Sequence, residues 1–285
     1  MKPTADDRTL VTRRRVLAGV GGTVALAGVG GFYISRSLEG DHGEYTAPEP
    51  QPVLSTRGSL AGSASRIVET GGEWGFGDAG ELFVFGHGLN TDPTGARDQA
   101  YTARLGLEPV RPAPVIAYSW DSDTDWSAAK ANATANGQPL AEWLLEWDGA
   151  DGRPIHLLGY SLGARVCCET LRVLRNRDRG DVPASVSLLG GAIPDDSVLE
   201  DGRYGGAIAA VDGPVNNFHS ENDRVLGWVY RIGDRNRAVG YGGAADPGST
   251  PPGYDDVDVT DTVADHYSYF RPDVGCLPTV ADRLE

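Results

Sequence analysis

Apolar positions along this chain alternate between short continuous runs and longer stretches at helical spacing. Leu82-Phe83-Val84-Phe85, Val115-Ile116-Ala117-Tyr118, Ile155-His156-Leu157-Leu158 and Ser187-Leu188-Leu189 are runs of strand length. Runs without polar alternation suit strands buried on both faces. Thr94 to Leu107 reads as a helix, and Trp126 to Trp147 as a longer one broken near Gly137-Gln138-Pro139. Leu162 to Leu174 keeps Leu162, Val166, Leu171 and Val173/Leu174 near one helical face. Val215 to Leu226 reads as a strand followed by a polar turn, and Val53 to Thr70 as short outer strands. Strands alternating with helices predict an α/β fold, a mostly parallel sheet covered by helices on both faces. No internal repeat interrupts it.

One strand-to-helix junction carries chemistry. Gly159-Tyr160-Ser161-Leu162-Gly163 has the form G-x-S-x-G, a turn that leaves the serine hydroxyl at its apex while the glycines let two backbones approach. With 39 glycines and 16 serines, chance gives about 0.3 such matches, so the pattern needs its context. The context is a strand run before it and a helical run after it, in the required order.

Upstream, the strand at Glu81 to Phe85 runs into Gly86-His87-Gly88-Leu89-Asn90. Such a loop supplies one backbone N–H to an oxyanion hole, and the residue after the nucleophile supplies the other. The Leu89 and Leu162 amides are therefore the expected donors, with His87 bracing the loop. Preset donors stabilise the charge that develops on a carbonyl oxygen under attack.

A base and an acid should follow the nucleophile in the order Ser, acid, His. Of five histidines, His42 lies in the N-terminal segment, His87 in the upstream loop, His156 in the strand before the turn, and His219 ahead of the acid. His266 is left. Asp223, in the turn Ser220-Glu221-Asn222-Asp223, is the expected acid; Glu221 shares the turn, and Asp195 or Asp196 is the outside alternative.

These segments together resemble the α/β-hydrolase superfamily over about residues 80 to 270. Within it the chain is most similar to serine-hydrolase-like families of unknown function related to the transmembrane and coiled-coil domain 4 protein. The likeness rests on the elbow Gly159 to Val166, on Ser220 to Leu226, and on Val257-Asp258-Val259-Thr260-Asp261 leading to His266-Tyr267. It implies an α/β-hydrolase fold and defines no substrate.

The N-terminus stands apart. Arg13-Arg14-Arg15 precedes a Gly/Ala-rich apolar stretch from Val16 to Ile34, which resembles a twin-arginine (Tat) signal. Residues 1–35 are read as signal or N-terminal anchor, 36–52 as linker and 53–285 as one hydrolase domain. Residues 16–34 are about long enough to span a bilayer, so a cleaved signal and a retained anchor are both open. Export by the Tat machinery would place the domain outside the cell or tethered to the outer face of its membrane.

Forty acidic residues against 25 basic ones give a formal charge of −15, and only Lys2 and Lys130 are lysines. Such a surface suits very high salt, where screening relieves self-repulsion, or an ordinary acidic secreted enzyme. It argues against nucleic acid as a partner, since the sequence offers no basic patch to neutralise phosphates. Cys167, Cys168 and Cys276 read as buried free thiols, with a bridge from Cys276 left open in an oxidising compartment. No zinc-type spacing occurs, so no metal and no cofactor are expected. The expected function is hydrolysis of a small-molecule ester or lipid by Ser161, His266 and Asp223; the competing class is a non-catalytic binding or membrane-associated scaffold. Two long segments, 194–214 and 233–254, are either covers over the site or disordered.

Overall fold

The computed structural model describes residues 44–48, 51–59, 69–230 and 236–284. The twin-arginine segment, the apolar stretch 16–34 and His42 lie outside the described residues. Among those described, no helix is long and apolar enough to cross a membrane.

The continuous apolar runs fall in the middle of one sheet, in β3 (Leu82–Gly86), β4 (Val115–Ser119), β5 (Ile155–Tyr160) and β6 (Pro183–Leu189), and β7 (Val215–His219) adds a strand with buried Asn216 and Asn217. β1 (Val53–Ser55), β2 (Glu69–Gly71) and β8 (Tyr254–Asp258) complete the order β2-β1-β4-β3-β5-β6-β7-β8. Only the β1–β2 pair at one edge is antiparallel.

Alternate residues of each strand feed two cores. Leu82, Val84, Ile116, Tyr118 and Leu157 face one side, beneath α2 (Trp126–Ala135), α3 (Gly137–Ala150) and α4 (Gly163–Arg175). Phe83, Phe85, Val115, Ala117 and Leu158 face the other, with residues of α1 (Pro93–Leu107) and of α7 (Leu277–Ala281) near the C-terminus. Short α5 (Gly205–Ile208) and α6 (Val239–Gly242) lie in the loops between. Burial on both faces is why these strands carry no polar alternation.

Helix starts follow from the sequence. Asp92 accepts a hydrogen bond from Gly95 N–H at 2.7 Å and Pro93 opens α1; Asp125 caps α2 through the amides of Ser127 and Ala128. The stretch from Trp126 forms two helices meeting at Asn136, whose side chain is held by Thr56, Tyr118 and the Asn132 carbonyl.

The boundary read at Val53 falls inside packed structure. Tyr45 N–H donates to Thr102 Oγ1, Ala47 N–H to Asp98 Oδ1, and Gln51 Nε2 to the Val115 carbonyl. Part of the expected linker is thus docked by polar contacts that leave no apolar pattern. The two long segments are tied to each other: Asp195 N–H donates to Arg237 O, Ala245 N–H to Asp195 O, and Glu200 N–H to Ser249 O. The described parts of both are ordered structure.

Candidate active site

The turn from β5 into α4 puts Ser161 at φ +54°, a left-handed conformation rare for a residue with a side chain. Its neighbours hold it there. Ser161 N–H donates to Leu189 O at 3.0 Å, and the Ser161 carbonyl accepts from Ala164 and Ala192. A Cβ on Gly163 would collide with the Gly86 carbonyl, and one on Gly159 would lie 2.8 Å from Ala164 Cα. The two flanking glycines are therefore required by contact between α4, β5 and the end of β3.

Ser161 Oγ donates to His266 Nε2 at 3.0 Å, and His266 Nδ1–H donates to Asp223 Oδ2 at 2.6 Å. All three are buried, with relative exposures of 5%, 2% and 0% in the order Ser161, His266, Asp223. The second Asp223 oxygen accepts from Leu226 N–H at 2.9 Å, so both carboxylate oxygens are engaged. Asp223 stands after β7 and His266 after β8, at the carboxyl ends of adjacent parallel strands.

The two loops are pinned together. Ser220 Oγ donates to Val263 O at 2.8 Å, Asn222 Nδ2 to Thr260 O at 2.9 Å, and Glu221 N–H to Thr260 Oγ1 at 3.1 Å. Asp258 Oδ1 accepts from Thr260 N–H at 2.9 Å. On the histidine side, Asp265 Oδ1 accepts from Tyr267 N–H and Ser268 Oγ, while Tyr160 O–H donates to the His266 carbonyl at 2.9 Å. Tyr160 sits in the variable position before the serine. Its ring packs 5.2 Å from the imidazole, a role its place in the motif did not disclose.

The alternative acids are elsewhere. Glu221 is exposed; Asp195 faces Arg237 at 3.8 Å, and Asp196 accepts from Asn236. None is placed at His266.

Of the expected oxyanion donors, Leu162 follows the serine directly and Leu89 follows Gly88, which packs on Ser161. Leu162 stands at the N-cap position of α4, which has no side-chain cap, and Gly88 approaches so closely that a Cβ there would lie 2.9 Å from Ser161 Cβ. Among the described residues neither the Leu89 nor the Leu162 N–H has a hydrogen-bond acceptor. An unpaired amide at a helix N-terminus, as at Leu162, suits an anion.

His87 is fully buried, stacked on Trp120 with ring centroids 5.2 Å apart. Burial beside the Arg57 guanidinium pushes its pKa down to about 3, so it is neutral at ordinary pH. His156 lies on Phe83, with Nδ1 at Ser185 Oγ and Nε2 at Glu81, and burial lowers its pKa. Cys167 and Cys168 lie in the core under α4 and Cys276 in the core across the sheet; all three are free and buried. The open bridge from Cys276 is therefore not formed. Among the described residues no three His, Cys, Asp or Glu side chains converge as a metal site.

Residues 107–277 match the family described as a protein of unknown function, DUF726. The chain belongs to that family. Ser161, Asp223 and His266 fall inside the DUF726 stretch, whereas Arg57, His87 and Leu89 precede it. The transmembrane and coiled-coil domain-containing protein STS1 of Oryza sativa subsp. japonica is 34% identical over 160 residues, covering 55% of this chain and 23% of its own length. The uncharacterized membrane protein C6F6.13c of Schizosaccharomyces pombe is 30% identical over 147 residues, 52% of this chain and 18% of its own. The matched stretch is thus about a fifth of those relatives. Among solved structures, the Bacillus licheniformis lipase BlEst2 aligns over 73% of this chain and 93% of its own, at 16% identity and a TM-score of 0.46. The type II thioesterase YbtT aligns over 73% and 94%, at 14% identity and a TM-score of 0.44. Sheet order, elbow and loop positions make the DUF726 domain here an α/β-hydrolase fold.

Proposed function

We propose that this protein is a serine hydrolase of carboxylic or thio esters. The observation that carries the reading is the hydrogen-bonded line from Ser161 through His266 to Asp223. Ser161 Oγ attacks the acyl carbonyl while His266 Nε2 takes its proton. Asp223 fixes the Nδ1–H tautomer and stabilises the imidazolium. The Leu89 and Leu162 amides receive the oxyanion. Collapse expels the leaving alcohol or thiol, protonated by His266, and leaves an acyl-enzyme. Water, deprotonated by His266, then attacks that ester and frees the acid and Ser161.

The reading extends to location. The Arg13-Arg14-Arg15 motif and the apolar run 16–34 support export through the Tat machinery, with the domain outside the cell or held at its membrane. The relatives' names, which speak of membrane proteins, are in keeping with a retained anchor. The substrate class is a small-molecule ester or a lipid.

Near-complete burial of Ser161 and His266 favours the second reading, a hydrolase fold kept as a scaffold. Labelling with a fluorophosphonate probe in molar salt decides between them. Labelling of the wild type and its loss in Ser161→Ala is the expected result. A folded wild type that takes up no probe and cleaves no p-nitrophenyl ester overturns the hydrolase reading.

A further inference from the structure

The loop after β3 is held by a charged residue that stands before the DUF726 stretch. Arg57, just past β1, reaches under the loop. Its Nη2 donates to Thr91 O at 2.6 Å and faces His87 Nε2 at 3.3 Å, while its Nε donates to Ser119 Oγ at 2.7 Å. The backbone N–H of Trp120 also donates to His87 Nε2, at 3.1 Å.

Two obligatory donors aimed at one ring nitrogen settle the tautomer. A guanidinium and a backbone amide have no lone pair to offer, so His87 Nε2 must be the acceptor and Nδ1 must carry the hydrogen. Nδ1 lies 2.9 Å from the Gly88 carbonyl, with Ser122 Oγ at 3.4 Å as a second neighbour. Thr91 Oγ1 adds a hydrogen bond to the Gly88 carbonyl at 3.3 Å. A planar trans peptide points its N–H opposite its C=O. Holding the Gly88 oxygen against His87 therefore turns the Leu89 N–H away from the histidine. Gly88 itself packs on Ser161.

We propose that Arg57 and His87 form a tautomer lock that aims the Leu89 N–H at the developing oxyanion, which makes both of them positioning residues. The proposal rests on the reading of Leu89 as an oxyanion donor. It gives Arg57 a task that a lone arginine near the edge strand does not suggest. It also explains why a loop next to the nucleophile carries a buried histidine that the proton transfers do not use.

Two measurements on the full chain test it. Long-range proton–nitrogen spectra of the histidine rings, with His87 assigned by its absence in His87→Asn, should show a neutral ring protonated at Nδ1 from pH 8 to pH 5. An Nε2–H ring or an imidazolium in that range overturns the lock, whatever the activity. Hydrolysis of an oxo ester and its thiono counterpart then reads the aim of the amide, because sulfur accepts hydrogen bonds poorly. His87→Phe keeps the stacking on Trp120 but cannot donate. Its kcat on the oxo ester should fall about 10- to 100-fold, with KM within about threefold. The thiono ester should lose less, and His87→Asn, which can still donate to Gly88, should recover most of the rate. Arg57→Met should shift the oxo-to-thiono ratio in the same direction. Equal losses on both esters, or an unchanged kcat in folded His87→Phe and Arg57→Met, overturn the proposal. A wild type that neither hydrolyses nor labels removes the hydrolase reading, and with it the catalytic part of this one; the spectra still decide the lock.

Discussion

Nδ1 of His266 lies 2.6 Å from Oδ2 of Asp223, although the two residues come from loops after different strands. Among the described residues no other acceptor meets that imidazole N–H. The first prediction follows from it. Asp223→Asn keeps the shape but can present an N–H to the ring and favour the wrong tautomer, so kcat should fall by about 10³- to 10⁴-fold. Glu221→Gln and Asp195→Asn, which remove the alternative acids, should stay within about twofold of wild type, since neither touches His266. Steady-state hydrolysis of a p-nitrophenyl ester checks all three.

The pins between the acid loop and the histidine loop give a second. Ser220→Ala removes the donor to the buried Val263 carbonyl and the acceptor for Asn222 N–H. It should cost about 1–3 kcal/mol of stability, read by urea unfolding. Because the pins set the spacing of Asp223 and His266, kcat should fall with it while KM holds. Ser220→Thr, which keeps the hydroxyl, should restore part of both.

A third prediction concerns acid. The folded pKa of His87 is about 3 against an ordinary value of 6.5, so the unfolded chain binds a proton there that the folded chain refuses. Stability linked to this group is complete above about pH 6.5 and is lost as pH falls. The loss approaches about 5 kcal/mol near pH 3. Glu81, held low chiefly by its hydrogen bonds to Arg111, adds a loss of the same sign at lower pH. Unfolding measured from pH 7 to pH 4 should show a shallower slope in His87→Asn than in the wild type.

The thiols supply the fourth. Burial pushes Cys167 and Cys276 up to about 12 and Cys168 well above its ordinary value. Almost no thiolate forms at pH 8, and no thiol is accessible. Ellman's reagent should find no reactive thiol in the native protein within minutes and all three after denaturation. A native protein that also yields fewer than three when denatured would mean a disulfide.

How far the sequence reached depended on the range of each interaction. The apolar runs gave the central strands, because burial on both faces shows in the order of residues along the chain, whereas the caps Asp92 and Asp125 came from the structure alone. The elbow was legible for the same reason: a serine forced to positive φ between two helix-and-strand contacts needs glycine at set positions. Asp223 and Glu221 looked alike as charges two residues apart. Only the folded turn sends one inward to His266 and leaves the other exposed. Arg57 gave no signal at all, since a single arginine after a three-residue strand has no period and no motif. The packed start at Tyr45 and Ala47 was hidden likewise, in backbone amides donating to side chains of α1. Local sterics and periodic burial were written in the sequence. Which charge faces which ring, and which distant arginine lies under the loop, were decided by strands meeting in the sheet, because those contacts join residues that chain order keeps apart.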